Sequence, residues 1–314
     1  MRSRKGRRIN WPIISDRTVE NLHRTQYLPE GLTPLFPDGQ PLSVLREAME
    51  KQHILAAMAT RCDRGRDLWV RLGGYEGVIP RAEAVHPAIS GAQRDIAVLT
   101  RVGRPTCCTI TDVTVDGGGR PRLILSRRRA QEQAMAWLLE NAQPGVILPA
   151  QVTHLADFGA FVDLGCGVIS LLPTDRISIS RIRRPAQRLR VGEDLRVLVT
   201  AVDRERCRFS LSHRELLGTW LENAAAFAPG ETVTGVVRSI KDYGMFVELT
   251  PNLCGLAELR GGTAVGDAVS VYIKSIRPEG HKIKLQIVEN LGPAGDPPSL
   301  RYFITDGTVE DWTY

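Results

Sequence analysis

Residues 157–164 read DFGAFVDL, and residues 242–249 repeat the same pattern as DYGMFVEL. In an extended strand, successive side chains point to opposite faces, so one face of each stretch is entirely apolar. The opposite face pairs a phenylalanine with an acid, Phe161 with Asp163 and Phe246 with Glu248. The pattern predicts two strands that each carry a large aromatic ring on the solvent-facing side.

The two stretches belong to larger copies of one unit. The segment from Leu125 reads LSRRRAQEQAMAWLLENAQPG, and the segment from Leu211 reads LSHRELLGTWLENAAAFAPG. The closing glycine lies at the same distance before the first aromatic residue in both copies, Gly145 before Phe158 and Gly230 before Tyr243. A repeat of roughly 85 residues is typical of one small domain per copy.

A third, divergent copy precedes these two. Residues 67–80, DLWVRLGGYEGVIP, align with residues 159–173 with one residue fewer and place Trp69 at the position of the exposed phenylalanine. A complete copy contains five short strand-like runs, several separated by glycine-rich turns, which indicates a small closed barrel. We therefore expect a mainly β protein with three tandem five-stranded barrels joined by short α-helical linkers.

The predicted boundaries follow the repeats. They are a basic N-terminal arm, loop and short helix over 1–50, a divergent first barrel over 51–130, a helical linker over 131–144, a second barrel over 145–215, a helical linker over 216–229, a third barrel over 230–289, and a linker with a C-terminal hairpin tail over 290–314. The linkers carry apolar residues at helical spacing. The hairpin is predicted from Asp306-Gly307 between β-rich flanks.

Charge and cysteine content narrow the class of protein. The formal net charge of +6 and the sequence pI near 9.1 favour an acidic partner, nucleic acid first. The six cysteines form no CxxC pair, so we expect no metal and no cofactor. A signal peptide and an apolar run of membrane-spanning length are both missing, so we expect a cytoplasmic protein without a membrane partner, as a monomer.

The exposed aromatic residues come in pairs at a spacing of three, Phe158 with Phe161 and Tyr243 with Phe246. The glycine between them permits a bulge that would turn both rings outward. Exposed rings on a sheet can stack on any nucleobase, because every base has a π-face. The alternative, in which a neighbouring barrel or loop covers the rings, stays open at this point.

Cations accompany the rings and could hold a phosphate backbone. Arg208 and Lys282 lie on the last strands of the second and third copies, and residues 175–190 contain six arginines. Aromatic rings flanked by flexible cations suit single-stranded nucleic acid, with stacking for the bases and charge for the backbone. A charge run of this kind also occurs as a plain solvated surface.

The second and third copies resemble the RNA-binding domain family named for ribosomal protein S-one, a five-stranded barrel of the OB type. The resemblance covers approximately residues 51–289 and is weak in the first copy. It implies RNA contacts from Phe158, Phe161, Asp203 and Arg208, and from Tyr243, Phe246, Arg277 and Lys282. Further candidates are Trp69, His154, Arg181, Arg183 and Arg184. A histidine usual in the family is replaced by Pro173 and Glu258, so one contact is lost in each copy.

The resemblance implies a protein of the translation apparatus that binds single-stranded mRNA, without catalysis, and that has the small ribosomal subunit as a further partner. The first copy, with Arg66 and Trp69 at the aromatic positions, is expected to bind RNA poorly or to dock a protein. Two alternatives remain. One is an RNA-processing or RNA-decay enzyme, or its accessory subunit; the other is a protein-interaction scaffold without RNA affinity.

Overall fold

The computed structural model describes residues 27–86, 92–296, 300–309 and 311–314. The basic segment at residues 1–12, predicted to be an arm, lies outside the described residues. The chain is mainly β, with 43% strand and 18% helix, and its strands form three five-stranded barrels. The predicted fold class, tandem OB-type barrels, is therefore confirmed.

The first barrel is closed, with strand order β1-β2-β3-β5-β4. Its strands are β1 (Leu55–Cys62), β2 (Leu68–Leu72), β3 (Tyr75–Ile79), β4 (Pro105–Val115) and β5 (Pro121–Ser126). Helix α1 (Leu42–Glu50) precedes the barrel, and helix α2 (Ala92–Leu99) connects β3 to β4. A parallel pairing between β3 and β5 closes the sheet.

The second barrel has the strand order β10-β9-β6-β7-β8. Its strands are β6 (Ile147–Ala156), β7 (Gly159–Asp163), β8 (Ile169–Pro173), β9 (Asp194–Asp203) and β10 (Arg208–Ser212). No ladder joins β8 to β10 in the described chain, but the Ser170 hydroxyl donates to the Phe209 carbonyl at 2.8 Å. A single side-chain hydrogen bond thus spans the gap that a parallel ladder closes in the other two barrels.

The third barrel is closed like the first, with strand order β11-β12-β13-β15-β14. Its strands are β11 (Thr232–Lys241), β12 (Gly244–Thr250), β13 (Leu253–Ala257), β14 (Asp267–Arg277) and β15 (Lys282–Pro293). The connection between its third and fourth strands is a short loop over residues 258–266. The same connection in the second barrel, residues 174–193, is longer and contains the arginine-rich segment.

The barrel interiors are filled by alternate residues of each strand. Ala160, Val162 and Leu164 are buried in the second barrel, and Met245 and Val247 in the third, as their period-two spacing predicts. A barrel of this size has an interior just wide enough for side chains, so it is a packed core. The remaining residues of these strands must therefore lie outside.

The α-helices of the two linkers differ in length, and each begins at a side-chain cap. Helix α3 (Arg127–Asn141) begins earlier than expected, since the Ser126 hydroxyl at the end of β5 accepts a hydrogen bond from the Arg129 amide at 3.0 Å. The second linker contains only a short helix, α4 (Trp220–Ala224), which starts at a capping box of Thr219 and Glu222. Trp220 is buried against the core of the third barrel.

The C-terminal tail does not form the predicted hairpin. Within residues 300–309 and 311–314 no strand ladder forms, although Gly307 makes a turn with φ of 87°. The backbone instead pairs with the second barrel, where the Val309 amide donates to the Gly145 carbonyl at 2.8 Å and the Ile147 amide donates to the Gly307 carbonyl at 3.2 Å. The hairpin prediction is wrong because the apolar residues on either side of the turn pack against the second barrel and not against each other. Tyr302, Ile304 and Val309 of the tail cover an apolar patch formed by Ile147, Leu198 and Leu216.

A buried carboxylate joins the first barrel to the second. The Glu30 carboxylate forms ion pairs with the guanidinium groups of Arg127, at 2.7 Å, and Arg101, at 2.9 Å. The Glu30 backbone amide donates a hydrogen bond to the Asp163 carboxylate at 2.8 Å. Burial alone would raise the pKa of Glu30, but the two arginines hold it below its usual value. Asp163 lies on the outer face of β7, as predicted, yet it is buried rather than solvent-facing, and burial raises its pKa to about 6.

A second buried ion network joins the second barrel to the third. Glu248 of β12 accepts from both ends of the Arg188 guanidinium, at 2.7 and 2.6 Å, and from Arg238 of β11 at 2.8 Å. The prediction that Glu248 faces solvent is therefore wrong, since it is only 4% exposed. Two cations compensate the cost of burying one carboxylate, so the network carries a net positive charge.

His213 connects the second barrel to the C-terminal tail. Its Nδ1 lies 2.8 Å from the Ile177 carbonyl, and its Nε2 lies 3.0 Å from the Tyr302 hydroxyl. Neutral imidazole fits this pair of partners, with Nδ1–H donating to the carbonyl and Nε2 accepting from the tyrosine. Burial lowers the pKa of His213 to about 4, and the nearby Arg188 contributes in the same direction.

We predict that His213 makes the protein less stable in mild acid. The unfolded chain takes up this proton near pH 6.5 but the folded chain only near pH 4, so the stabilisation is complete above pH 6.5 and declines as pH falls towards 4. Between pH 7 and pH 5 the wild type should lose about 2 kcal/mol more unfolding free energy than a His213→Gln variant. Urea unfolding of both proteins at the two pH values measures this, and identical losses would contradict it.

Candidate nucleic-acid interface

Two ring pairs with matching geometry lie on the second and third barrels. Phe158 and Phe161 have ring centroids 6.0 Å apart at an interplanar angle of 84°, and Tyr243 and Phe246 have 6.2 Å and 86°. The first ring of each pair is exposed, 63% for Phe158 and 69% for Tyr243, and the second is half-buried. An edge-to-face pair of this kind fixes the outer ring while leaving its face open to a ligand.

A bulge in the neighbouring strand accompanies each outward ring. The pairing register shifts between Val152 and His154 opposite Phe161, and between Val237 and Ser239 opposite Phe246. The first barrel has the same shift opposite Trp69. The bulge therefore lies in the first strand of each barrel, β1, β6 and β11. The prediction placed it at the glycine between the paired aromatic residues, which is one strand later.

The residue skipped by the bulge braces the strand that carries the ring. The Thr153 hydroxyl donates to the Phe161 carbonyl at 3.1 Å, and the Thr60 hydroxyl donates to the Trp69 carbonyl at 3.1 Å. In the third barrel this position is Arg238, which binds Glu248 instead. The three copies thus share a backbone feature, and the third uses it to bury an ion pair.

The glycines between the rings serve a different purpose from the one predicted. A Cβ on Gly159 would approach the Leu172 carbonyl oxygen to 2.7 Å, and one on Gly244 would approach the Ala257 carbonyl oxygen to 2.6 Å. Such distances are too short for any side chain. Glycine is therefore required because the next strand passes directly against the start of the ring-bearing strand.

The inner ring of each pair lies in a row across three strands. In the second barrel the register places His154, Phe161 and Leu171 side by side, with the His154 and Phe161 rings 5.9 Å apart. In the third barrel the corresponding row is Ser239, Phe246 and Leu256. The predicted candidate His154 is exposed and next to the ring pair.

The arginine-rich loop divides into exposed and buried residues. Arg181, Arg183 and Arg184 are exposed, and Arg184 lies 3.2 Å from Asp157, directly before Phe158 in the chain. Arg188 is only 1% exposed and serves the buried network with Glu248. The expectation that the arginines of residues 175–190 could hold a phosphate backbone therefore does not apply to Arg188, which joins the second barrel to the third instead.

A cleft of about 360 Å³ lies beside the ring pair of the third barrel. Tyr243, Phe246 and Lys241 from the third barrel line it together with Ser180 and Arg181 from the loop of the second. Tyr314 completes the wall, and its hydroxyl donates to the Asn252 carbonyl at 2.7 Å. Burial raises the pKa of Tyr314 to about 12.

The two positions at which the resemblance implies an acid and a following cation lie at strand ends, and in the third barrel Arg277 replaces the acid. Asp203 faces Arg208 across β9 and β10, and Arg277 faces Lys282 across β14 and β15. All four residues are exposed. Among the described residues neither Arg208 nor Lys282 lies over an aromatic ring of its barrel.

The ring of the first barrel is covered by its own side chains. The Arg61 guanidinium lies 3.9 Å from the centroid of the Trp69 ring and Arg122 lies 5.1 Å away, while the indole N–H donates to Asp63 at 2.9 Å. Cation–π contacts thus occupy the ring face that a base would need. Arg66, at the other aromatic position, has φ of 69° in the turn before β2.

Several lining residues of the interface were not predicted from the sequence. Ser180, Arg238, Lys241 and Tyr314 line the cleft but were not among the candidates. Lys241 precedes the Asp242-Tyr243 pair directly, which is a signal that could have found it. Tyr314 is separated from the third barrel by the whole tail and gives no such signal.

The described residues were also compared with the requirements of a metal site and of a membrane-spanning helix. No group of three His, Cys, Asp or Glu side chains converges there in a way that could hold a metal ion. Among the helices of this same part of the chain, none combines the length and the apolar character needed to cross a membrane.

Residues 141–214 match the family model described as S1 RNA binding domain. This segment coincides with the second barrel, which carries the ring pair Phe158 and Phe161. The match confirms the resemblance predicted for this copy and supports RNA binding related to that of the S1 family.

Curated relatives are similar over about half of the chain. The small ribosomal subunit protein bS1 of Leuconostoc lactis is 37% identical over 182 residues, which cover 53% of this chain and 42% of that protein. The bS1 homolog of Bacillus subtilis is 31% identical over 173 residues, covering 54% of this chain and 44% of that protein. The chain therefore spans less than half the length of the curated relatives it matches.

Among solved structures, a multidomain protein with nucleic acid binding domains from Streptococcus pneumoniae covers 76% of this chain and 74% of its own, at 14% identity and a TM-score of 0.25. At this TM-score the likeness carries no argument about the interface.

Proposed function

We propose that this chain is a non-catalytic protein that binds single-stranded RNA through its second and third barrels. Bases stack on the ring pairs, and arginine and lysine side chains hold the phosphate backbone. The S1 domain match over residues 141–214 supports RNA as the nucleic acid. The protein acts in the cytoplasm as a monomer and needs no cofactor.

The observation that carries this proposal is the repeated ring pair. Two barrels present an exposed outer ring on a half-buried inner ring at the same centroid distance and angle. An exposed aromatic ring costs solubility and contributes little to folding, so a repeated one supports a binding role. Stacking on a ring contributes about 1–3 kcal/mol per base and tolerates any sequence.

The cations near the rings support single-stranded rather than base-paired RNA. Arg181, Arg183 and Arg184 are exposed on one loop, and Arg208 and Lys282 are exposed at strand ends. Rings that stack on base faces require bases that are free of a helix, whereas the cations follow the backbone. The same arrangement would suit single-stranded DNA, and the family match favours RNA.

The relatives named as small ribosomal subunit proteins support a more specific role. On that basis, we propose that the bound RNA is mRNA and that the protein holds it near the small ribosomal subunit. The first barrel, with its ring covered by Arg61, contacts a protein surface rather than RNA.

Removing the two outer rings should weaken RNA binding strongly. A Phe158→Ala, Tyr243→Ala double variant is expected to lose about 2–6 kcal/mol of binding free energy, since two stacked bases contribute about 1–3 kcal/mol each. Both rings are exposed, so folding is expected to be unaffected. Fluorescence anisotropy with a labelled single-stranded oligouridine in magnesium-containing buffer measures the affinity.

Three controls make this experiment decisive. A Phe158→Tyr, Tyr243→Phe variant keeps both rings and should bind like the wild type, and Trp69→Ala should change the binding free energy by less than about 1 kcal/mol. The RNA should be recovered at full length, since shortened RNA would show an enzyme. An unchanged affinity of the double alanine variant would remove the stacking role.

The ribosomal part of the proposal has a separate test. Purified wild-type protein is expected to comigrate with small ribosomal subunits in a sucrose gradient and to be released as salt rises, because screening weakens charge contacts. A protein that binds oligouridine but stays at the top of the gradient at low salt would contradict the ribosomal role and leave RNA binding intact.

A further inference from the structure

The cleft beside the ring pair of the third barrel is built from two barrels. Tyr243 and Phe246 of the third barrel form one wall, and Ser180 and Arg181 of the second barrel's loop lie on another. The volume of about 360 Å³ falls within the range of small-molecule sites. A ligand stacked on the rings of the third barrel would therefore also meet residues of the second.

Buried contacts hold the loop in this position. The Ser180 amide donates to the Pro251 carbonyl at 3.0 Å, and the Ile179 amide donates to the Asn252 side-chain oxygen at 3.1 Å. Further along the loop, Arg188 binds Glu248 through both terminal nitrogens. Since Glu248 lies two residues after Phe246 on β12, the same strand carries both the ring and the anchor of the loop.

The charged residues that line the cleft are all cations, namely Arg181, Arg238 and Lys241. Arg238 pairs with Glu248 at 2.8 Å and shares this carboxylate with Arg188, so the network keeps a net positive charge. Arg181 and Lys241 are exposed and make no ion pair within the described residues. A wall of rings with two uncompensated cations matches an aromatic, anionic ligand, which is the chemistry of a nucleotide in a single strand.

We infer that this cleft binds one nucleotide of the RNA across the barrel boundary, with its base on Tyr243 and its phosphate on Arg181. The inference rests on the proposed function and adds to it that the second and third barrels form one composite site. Arg181, which belongs to the second barrel, contributes to the affinity of the third.

The loop also connects this cleft to the other ring pair. Arg184, three positions after Arg181, lies 3.2 Å from Asp157, the residue before Phe158. Three residues of backbone span at most about 11 Å. A single-stranded RNA that leaves the cleft can therefore pass Arg183 and Arg184 on its way to the rings of the second barrel, with positive side chains along the whole path.

A double-mutant cycle on the full chain tests whether Arg181 and Tyr243 hold the same nucleotide. The probe is a labelled oligouridine RNA of about 16 nucleotides, the upper end of the site size of one OB fold. Tyr243→Ala should weaken binding about 5- to 150-fold and Arg181→Ala about tenfold. The fold loss of affinity in the double variant should be smaller, by at least about twofold, than the product of the two single losses. This is expected because the effects of two groups that bind the same ligand are not independent.

Matched variants separate a composite site from general charge. Arg46→Ala removes the same side chain from an exposed position on α1 and should change affinity less than about twofold. Arg181→Ala, but not Arg46→Ala, should also reduce the log–log salt slope by about 0.7, the value for one phosphate contact on a single strand. Arg181→Lys keeps the charge and should retain the slope.

The possible results distinguish this inference from the proposed function. Two results would overturn the composite site and leave RNA binding standing, provided that the wild type binds the RNA. In one, the fold losses of Arg181→Ala and Tyr243→Ala multiply to give the loss of the double variant. In the other, Arg181→Ala weakens binding no more than Arg46→Ala does. A wild-type protein without affinity for the RNA would overturn both. Coupling between Arg181 and Tyr243 supports both.

Discussion

The alternation of side chains in a narrow barrel is the constraint on which this structure depends. The interior of a five-stranded barrel is filled by a packed set of mostly aliphatic side chains, supplied here by residues such as Val162 and Val247. Every other position of the same strands must face outward. Phe161 and Phe246 occupy outward positions on the equivalent strand of their barrels, so the fold itself places a ring on the surface and the bulge opposite sets its angle.

The same alternation links the ring-bearing face to the junctions between barrels. Two residues after each ring, the next outward position carries an acid, Asp163 or Glu248, and both acids are buried at a barrel boundary. Glu248 binds Arg188 of the second barrel, and Asp163 accepts the amide of Glu30 beside the first. Each ring-bearing strand is thereby anchored to the neighbouring barrel, and movement at a junction would displace a ring.

Most of the fold could be predicted from the sequence, because the repeat and the period-two pattern are local signals. The positions of Phe158 and Tyr243 could be predicted for the same reason. The burial of Asp163 and Glu248 could not, since an alternating pattern shows which face a residue takes but not what covers that face. Their partners lie far away in sequence, Glu30 for one acid and Arg188 for the other.

The tail and the cleft show the same limit. The Asp306-Gly307 turn is a local signal and is present, but the flanking segments pair with Gly145 and Ile147 rather than with each other. Tyr314 and Arg181 line the cleft at the ring pair of the third barrel but come from other parts of the chain. Long-range contacts determined these positions, apolar packing for the tail and polar contacts for the loop of Arg181, and no spacing within a short segment encodes them.

The central claim is that nucleobases stack on the outer rings, and photo-crosslinking tests it most directly. Wild-type protein bound to single-stranded RNA containing 4-thiouridine would be irradiated, digested and analysed by mass spectrometry. Cross-links are predicted in the peptides that contain Phe158 and Tyr243, with few in the peptide that contains Trp69. Cross-links confined to the first barrel or to residues 1–12, with none at either ring pair, would contradict the account.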